Sequence, residues 1–331
     1  MRSGTTEATQ SRPGVLSRPG LLLSNLGPFL GLLFVFGLFA ALNPKIATLA
    51  ALETIVQQTV IVGVAAIGMT MVIVSGGIDL SAGSIISLGS VVVALLMVSA
   101  GVSPFFAALG GVLAGMLCGA VNGLVITRLR VVPFIVTLGT LLIVRGLAKG
   151  LAHSMPINVE QTWLNELLAA LPPERKWMLV PPGAWLMVAL AVLVACFLRY
   201  TPLGRRIFAV GSNEQAARLC GVAVERVKTF VYVATGAFSG LAGVMLMSYQ
   251  EQGDPTAAVG LELDVIAAVV IGGGSLSGGE GSILGTLVGA VTMTVIRTGC
   301  HLNGWPTWLT QVVTGIVIVA AVAVDRLRHR R

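Results

Sequence analysis

Long apolar segments alternate with short polar ones along the chain. A helix needs about twenty residues to cross the hydrocarbon core of a bilayer, and ten apolar windows approach or reach that length. They lie at residues 22–41, 55–75, 83–100, 104–126, 133–151, 184–198, 229–249, 262–274, 281–298 and 306–324, and the eighth is the shortest. The pattern predicts an all-α, polytopic integral membrane protein with about ten transmembrane helices. Its transmembrane domain, residues 22–324, lies between tails at 1–21 and 325–331.

Residues 199–228 form a long polar stretch between two strongly apolar regions. Six of its side chains are basic, namely Arg199, Arg205, Arg206, Arg218, Arg226 and Lys228. The centre of the stretch, residues 211–221, predicts a short helix. Ser212 or Asn213 suits its N-cap, Glu214 its first turn, Arg218 its last turn and Gly221 its end. A short rigid helix of this kind is a shape that a soluble partner can push.

The composition places the chain in lipid. Hydrophobic residues make up 55% of it and charged residues 11%, and the mean hydropathy is +0.92. No water-soluble surface could be assembled from such a chain. The formal net charge of +7 would also suit a nucleic-acid partner, but membrane topology explains the excess, so no nucleic-acid binding is predicted.

The basic residues also predict the orientation, because Lys and Arg near the ends of spans are retained on the cytoplasmic side. With a cytoplasmic N-terminus, fifteen of the 21 basic residues fall in cytoplasmic segments, whereas Glu160, Glu251 and Glu262 are among the acidic residues of the opposite loops. Both termini and the loop at 199–228 are therefore expected in the cytoplasm. The first apolar run follows a polar segment and precedes many spans, which favours a retained helix over a secretory signal.

The largest outward loop, residues 152–183, contains Asn165-Glu-Leu-Leu and, at residues 172–176, Pro-Pro-Glu-Arg-Lys. These patterns predict a short helix and a turn. The loop is either a connector or part of a docking rim for an extracytoplasmic protein, and both interpretations remain open.

A glycine-rich stretch at residues 76–84 interrupts one apolar run. Its structural positions are Gly76, Gly77, Asp79, Ser81 and Gly83. Asp79 or Ser81 is expected to cap the following helix. Contact with a solute and a proton-relay role for Asp79 are the alternatives.

A second glycine-rich stretch contains Leu-Ser-Gly-Gly-Glu at residues 276–280, which is close to a signature of ABC ATPases. The sequence has no phosphate-binding Gly-x-x-x-x-Gly-Lys loop, and the stretch lies between two apolar spans. Neither ATP binding nor a cofactor is predicted for this chain.

Arg145 and Arg297 fall inside predicted spans, where a charge is costly unless it reaches an interface or has a partner. Snorkelling or pairing is the preferred interpretation, with Asp264 as a candidate partner. Neutral polar groups in the spans could line a path for a hydroxylated solute or hold helices together. The path candidates are Gln58, Asn122, Thr137, Thr140 and Asn303, and similar groups occur at Gln57, Thr59, Thr235 and Ser239.

The three histidines and four cysteines are scattered and show no metal-ligand spacing. No nucleophile, base and orienting group can be assembled into a catalytic set. Neither a metal site nor an enzyme activity is predicted.

Several segments form a specific series when they are taken in order. They are residues 66–84, 122–127 (Asn-Gly-Leu-Val-Ile-Thr), 132–140 with 145–148, 201–205 (Thr-Pro-Leu-Gly-Arg), 211–221 and 263–279. Together they resemble the ribose-type, or monosaccharide, family of bacterial ABC-importer permeases, and the resemblance covers most of the chain.

The resemblance implies a permease in the bacterial inner membrane that pairs with a second permease copy or a related permease. It further implies cytoplasmic ABC ATPase subunits as partners and a periplasmic sugar-binding protein that delivers the solute. Residues 213–221 would then be the coupling helix in a cleft of the ATPase. The coupling residues would be Ser212, Asn213, Glu214, Ala216, Ala217, Arg218 and Gly221. The family pattern is weakest at 152–183, and the sugar is left open.

Two other classes compete with this hypothesis. An ion-coupled secondary carrier works alone and usually needs buried charge at mid-membrane, whereas charge here is concentrated at 199–228. An intramembrane enzyme needs a catalytic constellation that the sequence does not provide. An ATP-driven sugar importer is therefore the leading hypothesis.

Overall fold

The computed structural model describes residues 18–171 and 178–328. Within these ranges the α-helices are α1 (Arg18–Leu42), α2 (Leu49–Val74), α3 (Ala82–Val98), α4 (Pro104–Leu129), α5 (Pro133–Leu151), α6 (Pro182–Tyr200), α7 (Pro202–Ser212), α8 (Glu214–Leu219), α9 (Val224–Gln250), α10 (Leu261–Ile271), α11 (Ile283–Leu302) and α12 (Thr307–Arg328). Two 3-10 turns lie at Pro44–Ala47 and Asn165–Leu167. Strand β1 (Ile157–Asn158) pairs antiparallel with strand β2 (Gln252–Gly253). Apart from this two-residue pairing, the regular structure of the described chain is helical, as predicted.

Each of the ten apolar windows coincides with one α-helix, and α7 and α8 occupy the polar stretch between α6 and α9. Among the described residues, six helices are long and apolar enough to cross a membrane, namely α2, α4, α5, α6, α9 and α11. Shorter apolar helical stretches occur in α1, α3 and α12, and α10 has 11 residues. The fold is therefore that of a polytopic helical membrane protein, while the count of ten spans and the side of each terminus stay predictions.

Prolines and polar caps set where several helices begin. Pro104, Pro133, Pro182 and Pro202 are the first residues of α4, α5, α6 and α7, where the missing N–H is not needed and the fixed φ suits a helix. Before α11, the Ser282 side chain accepts a hydrogen bond from a first-turn backbone N–H. These local signals cut the apolar chain into separate helices.

Helices α4 and α9 pack with their backbones close together. Gly111, Gly115 and Gly119 recur at every fourth position of α4 and are buried, and Gly115 faces Gly236 and Gly240 of α9. A methyl group at Gly115 would lie 2.9 Å from the Cα atom of Gly240. Small residues at such contacts let helices approach in lipid, where no hydrophobic driving force brings them together.

Helix α2 is central in the bundle, whereas α5 is peripheral. Of the most apolar window in each helix, 89% is buried in α2 and 17% in α5. Large apolar side chains on the peripheral helices point outward, and examples are Phe34, Leu117, Leu142 and Leu193, each at least 63% exposed. An apolar surface of this extent fits contact with lipid rather than with water.

Helix α10 is too short to cross a bilayer. Its 11 residues extend about 16 Å, roughly half of the ~30 Å hydrocarbon core. The chain before it, residues 251–260, folds against α3 and α5. The Ser87 hydroxyl donates to Asp254 O at 2.8 Å, and the Arg145 guanidinium donates to Ala257 O at 2.5 Å. Non-helical backbone is tolerated at membrane depth where protein shelters it, so the eighth window is a half-length helix.

Glu262 does not lie in an outward loop, as the charge pattern had suggested. It belongs to the first turn of α10, where Gly83 of α3 packs against its carboxylate. A window average of hydropathy cannot distinguish the first turn of a half-length helix from the loop before it, and this explains the error. The corrected position puts an acidic group inside the bundle.

The segment 152–171 packs onto one end of the bundle. Leu164 and Leu168 are buried, and the Gln57 side chain donates to Leu168 O at 2.8 Å. The helix predicted at Asn165 is present as a 3-10 turn, and the turn predicted at residues 172–176 lies outside the described residues. This segment covers the first half of α2.

The connecting segments meet at two ends. At one end Gly279 N donates to Val74 O at 2.8 Å and so joins the turns after α10 and α2. At the other end the Asn43 side chain donates to Leu302 O at 2.9 Å, and β1 pairs with β2. Each contact joins two segments that the charge pattern assigns to the same side of the membrane.

Candidate functional site

Helix α8 is the short helix predicted within residues 211–221. The Asn213 side chain accepts a hydrogen bond from Ala216 N at 2.9 Å, so Asn213 is the N-cap. Ser212 is instead the last residue of α7. The two helices share one boundary, and the cap fixes the angle at which the chain turns between them.

The other end of α8 is set by Gly221. Gly221 N donates to Arg218 O and Val222 N donates to Ala217 O, each at 3.0 Å. The φ angle of Gly221 is +80°, a left-handed conformation that glycine adopts without strain. This pair of hydrogen bonds is the Schellman motif. Both ends of α8 are therefore determined by local sequence.

Ion pairs connect α8 to the start of α9. Arg218 contacts Glu214 at 3.3 Å and Glu225 at 2.5 Å, and Lys228 contacts Glu214 at 2.5 Å. The hydrogen bond from Lys228 lowers the pKa of the Glu214 carboxyl from its ordinary value. The stabilisation is therefore complete above the ordinary pKa and is lost as the pH falls through the lowered one. Because Glu214, Arg218 and Glu225 are largely exposed, the pairs orient α8 more than they stabilise it.

A groove of about 300 Å³ lies between α8 and the turn that joins α4 to α5. Arg130 and Pro133 line one side, and Glu214, Arg218 and Lys228 line the other. Arg130 ends α4 with a φ of +54°. The α4–α5 turn is thus part of the same charged face as α8.

Gly211, near the end of α7, is in backbone contact with two other turns. It lies against Val74 O and Gly279 N, and Gly76 and Gly278 pack beside it. A methyl group at Gly211 would lie 2.7 Å from Gly279 N. We call Gly76, Gly211, Gly278 and Gly279 the glycine joint. The joint brings the segment that carries α8 into direct contact with the end of α2 and with the turn between α10 and α11.

Asp79 is fully buried in the turn between α2 and α3. Its Oδ1 atom accepts hydrogen bonds from Ser81 N at 2.8 Å and Ser81 Oγ at 2.5 Å. Ser81 is at the N-cap position of α3 but makes no side-chain cap bond, so a cap by Ser81 is wrong, whereas Asp79, the other candidate, accepts a backbone N–H immediately before α3. Ser81 Oγ instead accepts from Asn122 Nδ2 at 2.9 Å, and Thr140 Oγ1 donates to Asn122 Oδ1 at 2.6 Å. A buried hydrogen-bond chain therefore joins α3, α4 and α5.

The glycines of the same stretch allow close packing. Gly76, with a φ of +78°, ends α2 as Gly221 ends α8. Gly77 lies beside Tyr232, whose hydroxyl would be 2.6 Å from an added methyl group. Gly83 lies against Ala258 O and Glu262. The stretch is a packing element at which α2, α3, α9 and α10 meet.

The five path candidates lie in three places. Asn122 and Thr140 belong to the buried chain described above, and Thr137 donates to a backbone carbonyl of the α2–α3 turn at 3.3 Å. Asn303 follows α11 and donates to a carbonyl in its last turn at 2.8 Å. Gln58 lines a cavity. Only Gln58 of the five is therefore on the wall of one of the described cavities.

That cavity has a volume of about 620 Å³ and lies among α2, α10, α11 and α12. Thr54 and Gln58 contribute from α2, Asp264 from α10 and Arg297 from α11. An adjoining cavity of about 230 Å³ shares Gln58, Asp264 and Arg297. Polar groups from three helices thus converge inside an otherwise apolar bundle.

An ion pair joins α10 and α11 at the cavity wall. Arg297 Nη2 and Asp264 Oδ2 are 2.5 Å apart, and the side chains are 37% and 1% exposed. The pairing predicted for Arg297 is confirmed. Arg145 differs, because its guanidinium donates to the carbonyls of Pro255, Ala257 and Ala258.

The contribution of α12 to the cavity was not predicted from the sequence. Thr307, Thr310, Gln311 and Thr314 line it, and their spacing of three and four residues places them on one helix face. Trp305, just before α12, also lines the cavity. The polar stripe was visible in the sequence, but nothing local indicated which helices it faced. Within residues 18–171 and 178–328, no three His, Cys, Asp or Glu side chains could hold a metal ion.

A polytopic helical bundle with a cavity between its helices and a separate, capped, charged helix fits the translocating component of a membrane transport system. A family model described as "Branched-chain amino acid transport system / permease component" matches residues 51–322. The chain belongs to this family.

Curated relatives match almost the whole chain. The ribose import permease protein RbsC of Bacillus subtilis is 42% identical over 306 residues, which are 92% of this chain and 94% of the relative. The protein of the same name from Escherichia coli K12 is 37% identical, over 91% and 93% of the two chains. The L-arabinose ABC transporter permease protein AraH of Azospirillum brasilense is 33% identical, over 94% and 90%. No solved structure matches the chain.

Proposed function

We propose that this chain is the permease subunit of an ATP-driven importer for a monosaccharide or a related hydroxylated solute. The similarity to ribose and L-arabinose permeases carries the proposal, because it extends over at least 91% of this chain. Neutral amides and hydroxyls lining the cavity are groups that hydrogen-bond sugars. Translocation requires no covalent chemistry by this chain.

The complete importer would contain this chain and a second permease copy or a related permease. ABC ATPase subunits in the cytoplasm would supply the energy, and a periplasmic sugar-binding protein would deliver the solute. The assembly would lie in the bacterial inner membrane. The capped helix α8 supports this arrangement, since it offers a soluble partner a rigid element of defined orientation.

In this proposal α8 is the coupling helix. Closure of the ATPase on nucleotide would move α8 and α7, and the glycine joint would pass the displacement to α2 and α10. The coupling residues would be Ser212, Asn213, Glu214, Ala216, Ala217, Arg218 and Gly221. The cap at Asn213, the Schellman motif at Gly221 and the ion pairs of Arg218 support rigid movement of α8.

The proposed topology has ten crossings and both termini in the cytoplasm. Residues 251–260 together with α10 would make the eighth crossing, with the non-helical part sheltered by α3 and α5. The contacts at the two ends of the bundle support the alternation of sides. In this topology α8 and the glycine joint would lie at the cytoplasmic end and the cavity in the outward half.

One observation favours an ion-coupled carrier as a second candidate. Glu262 and Asp264 lie in the first turn of α10, with Arg145 and Arg297 nearby. Charged groups at mid-membrane are typical of ion-coupled carriers. In this chain each acid has an arginine near it, so the cluster is close to neutral and also suits a purely structural role.

Uptake into vesicles distinguishes the two candidates. Vesicles that contain the permease would be tested with D-ribose and L-arabinose, with and without the ATPase and binding protein, under ATP or an ion gradient. We expect uptake only with ATP and both partners. Uptake by the permease alone on an ion gradient would establish the carrier instead.

A further inference from the structure

We propose that the cavity among α2, α10, α11 and α12 is a site at which the permease itself binds a neutral, hydroxylated solute. Gln58, Arg297 and Trp305 would contact the solute, and Asp264 would position Arg297. The proposal rests on the proposed sugar transport and adds a recognition site within the membrane.

The cavity has the size and composition of a small-molecule site. Its volume of about 620 Å³ lies within the roughly 300–1,000 Å³ typical of ligand pockets. Thr54 and Gln58 line the α2 side, and Thr310, Gln311 and Thr314 line the α12 side. Hydroxyl and amide groups on two facing helices can hydrogen-bond opposite edges of one sugar ring.

Three of the lining groups, Gln58, Asp264 and Thr298, have hydrogen-bonding atoms that the described residues leave without a partner, and for Asp264 this is Oδ1. The Gln58 amide makes no hydrogen bond to any residue in the described part of the chain. Thr298 Oγ1 is buried and has no hydrogen-bond partner within the same residues. Buried polar groups are normally hydrogen-bonded, so a solute hydroxyl would satisfy the buried Thr298 hydroxyl, while the partly buried Gln58 amide would bond the same solute from α2.

The ion pair favours a neutral solute. Asp264 is buried and holds one side of the guanidinium, while Arg297, at 37% exposed, keeps donors available toward the cavity. Since the carboxylate compensates the positive charge, the site offers directed N–H donors without a net attraction for anions. This arrangement suits the hydroxyl oxygens of an aldose better than the carboxylate of a sugar acid.

Trp305 provides an apolar surface at the same cavity. Its ring packs against Phe39, with the ring centroids 6.1 Å apart, which limits its freedom to move. One face of a sugar ring carries mainly C–H groups, and a held indole ring can pack against such a face while the hydroxyls reach Gln58 and Arg297.

Helix α10 also connects the site to the segment formed by α7 and α8. Asp264 lies in the first turn of α10, and the turn after α10 carries Gly278 and Gly279 of the glycine joint. Movement of α7 would therefore be transmitted along α10 to the residue that holds Arg297. Closure of the ATPase would therefore weaken the contacts between Arg297 and the solute.

Protection of an introduced cysteine tests the site in the assembled importer. The exposed Cys196 and Cys220 would be changed to serine and Thr314→Cys introduced on the cavity wall. The rate of labelling by a small thiol reagent would be measured with and without D-ribose, L-arabinose or D-ribonate. We expect the transported sugar to slow labelling severalfold and ribonate to have little effect.

Gln58→Leu and Gln57→Leu form a matched pair on adjacent residues of α2. Gln57 points to Leu168 O and not to the cavity. We expect Gln58→Leu to weaken protection by the sugar about three- to tenfold, the effect of one lost hydrogen bond, and Gln57→Leu to leave it unchanged. Equal protection in both variants, or equal loss in both, would overturn the proposal.

The ion pair gives a second test. Arg297→Lys keeps the charge but loses the planar donor geometry, so we expect weaker sugar protection with normal assembly. Asp264→Asn leaves the Arg297 charge uncompensated, and ribonate should then protect as well as or better than the sugar. Unchanged solute preference in both assembled variants would refute the recognition role. ATP-driven uptake by the unmodified importer is measured separately, so loss of this site would leave the proposed function standing.

Discussion

Gly211 acts through the absence of a side chain. Its backbone touches Val74 and Gly279, and three segments that are remote in sequence meet there. Because the contact is between backbones, no rotamer change can make room for a larger residue. The glycine joint is thus sensitive to a single methyl group.

We expect Gly211→Ala to lower ATP-driven uptake about tenfold, since overpacking of a tight contact costs about 1–3 kcal/mol. Uptake and ATP hydrolysis in reconstituted vesicles measure the effect. Gly146→Ala is the control, because nothing lies within 4 Å of a methyl group there. Normal uptake by the Gly211 variant would contradict transmission through the joint.

Arg218 orients α8 by pairing with Glu214 and Glu225. We expect Arg218→Glu to reduce ATP-driven uptake severalfold, because like charges replace both pairs. The change in unfolding free energy should stay below about 1 kcal/mol, as exposed pairs contribute little. Uptake and thermal unfolding of the purified protein separate the two effects. Arg226→Glu, on an exposed position of the same segment, is the control, and equal uptake in both variants would speak against a role for Arg218.

At the scale of elements, α8 and α10 differ in what determines where the helix begins or ends. The ends of α8 depend on Asn213 and Gly221, which act within a few residues and were recognised in the sequence. The start of α10 depends on α3 and α5, which shelter the chain before it. The sequence already marked its apolar window as the shortest, but the sheltering of the chain before it could not be predicted from local pattern, because the sheltering residues are far away in sequence.

Arg145 provides the test of this sheltering. We expect Arg145→Met to lower the unfolding free energy by about 1–3 kcal/mol, because the carbonyls of Pro255, Ala257 and Ala258 lose a charged donor. Thermal unfolding in detergent measures it. Lys149→Met, about one turn later at an exposed position of α5, is the matched control. Equal stability of the two variants would show that residues 251–260 do not need Arg145.

At the scale of the whole molecule, the two ends of the bundle should face different compartments. Cys220 is exposed at the end of α8, which the charge bias assigns to the cytoplasm. In intact cells, a membrane-permeant thiol reagent should label Cys220 and an impermeant one should not, with Cys196→Ser included to remove the other exposed thiol. Met155→Cys, at the opposite end, should react with both reagents once Cys220→Ser is also present. Labelling of Cys220 from outside would reverse the proposed topology.

The sequence alone determined the helical class, the position of each apolar helix and the capped helix α8. These features depend on hydrogen bonds and propensities within a few residues, and on the requirement that backbone in lipid be satisfied within its own segment. Apart from the Arg297–Asp264 pair, which the sequence predicted, only the tertiary structure decided which polar groups meet. Asn122 reaches Ser81 across 41 residues, Arg145 reaches Ala257 across 112, and Gln58 shares a cavity with Arg297. Such contacts depend on the simultaneous packing of many helix faces, and no single segment of the sequence encodes that packing.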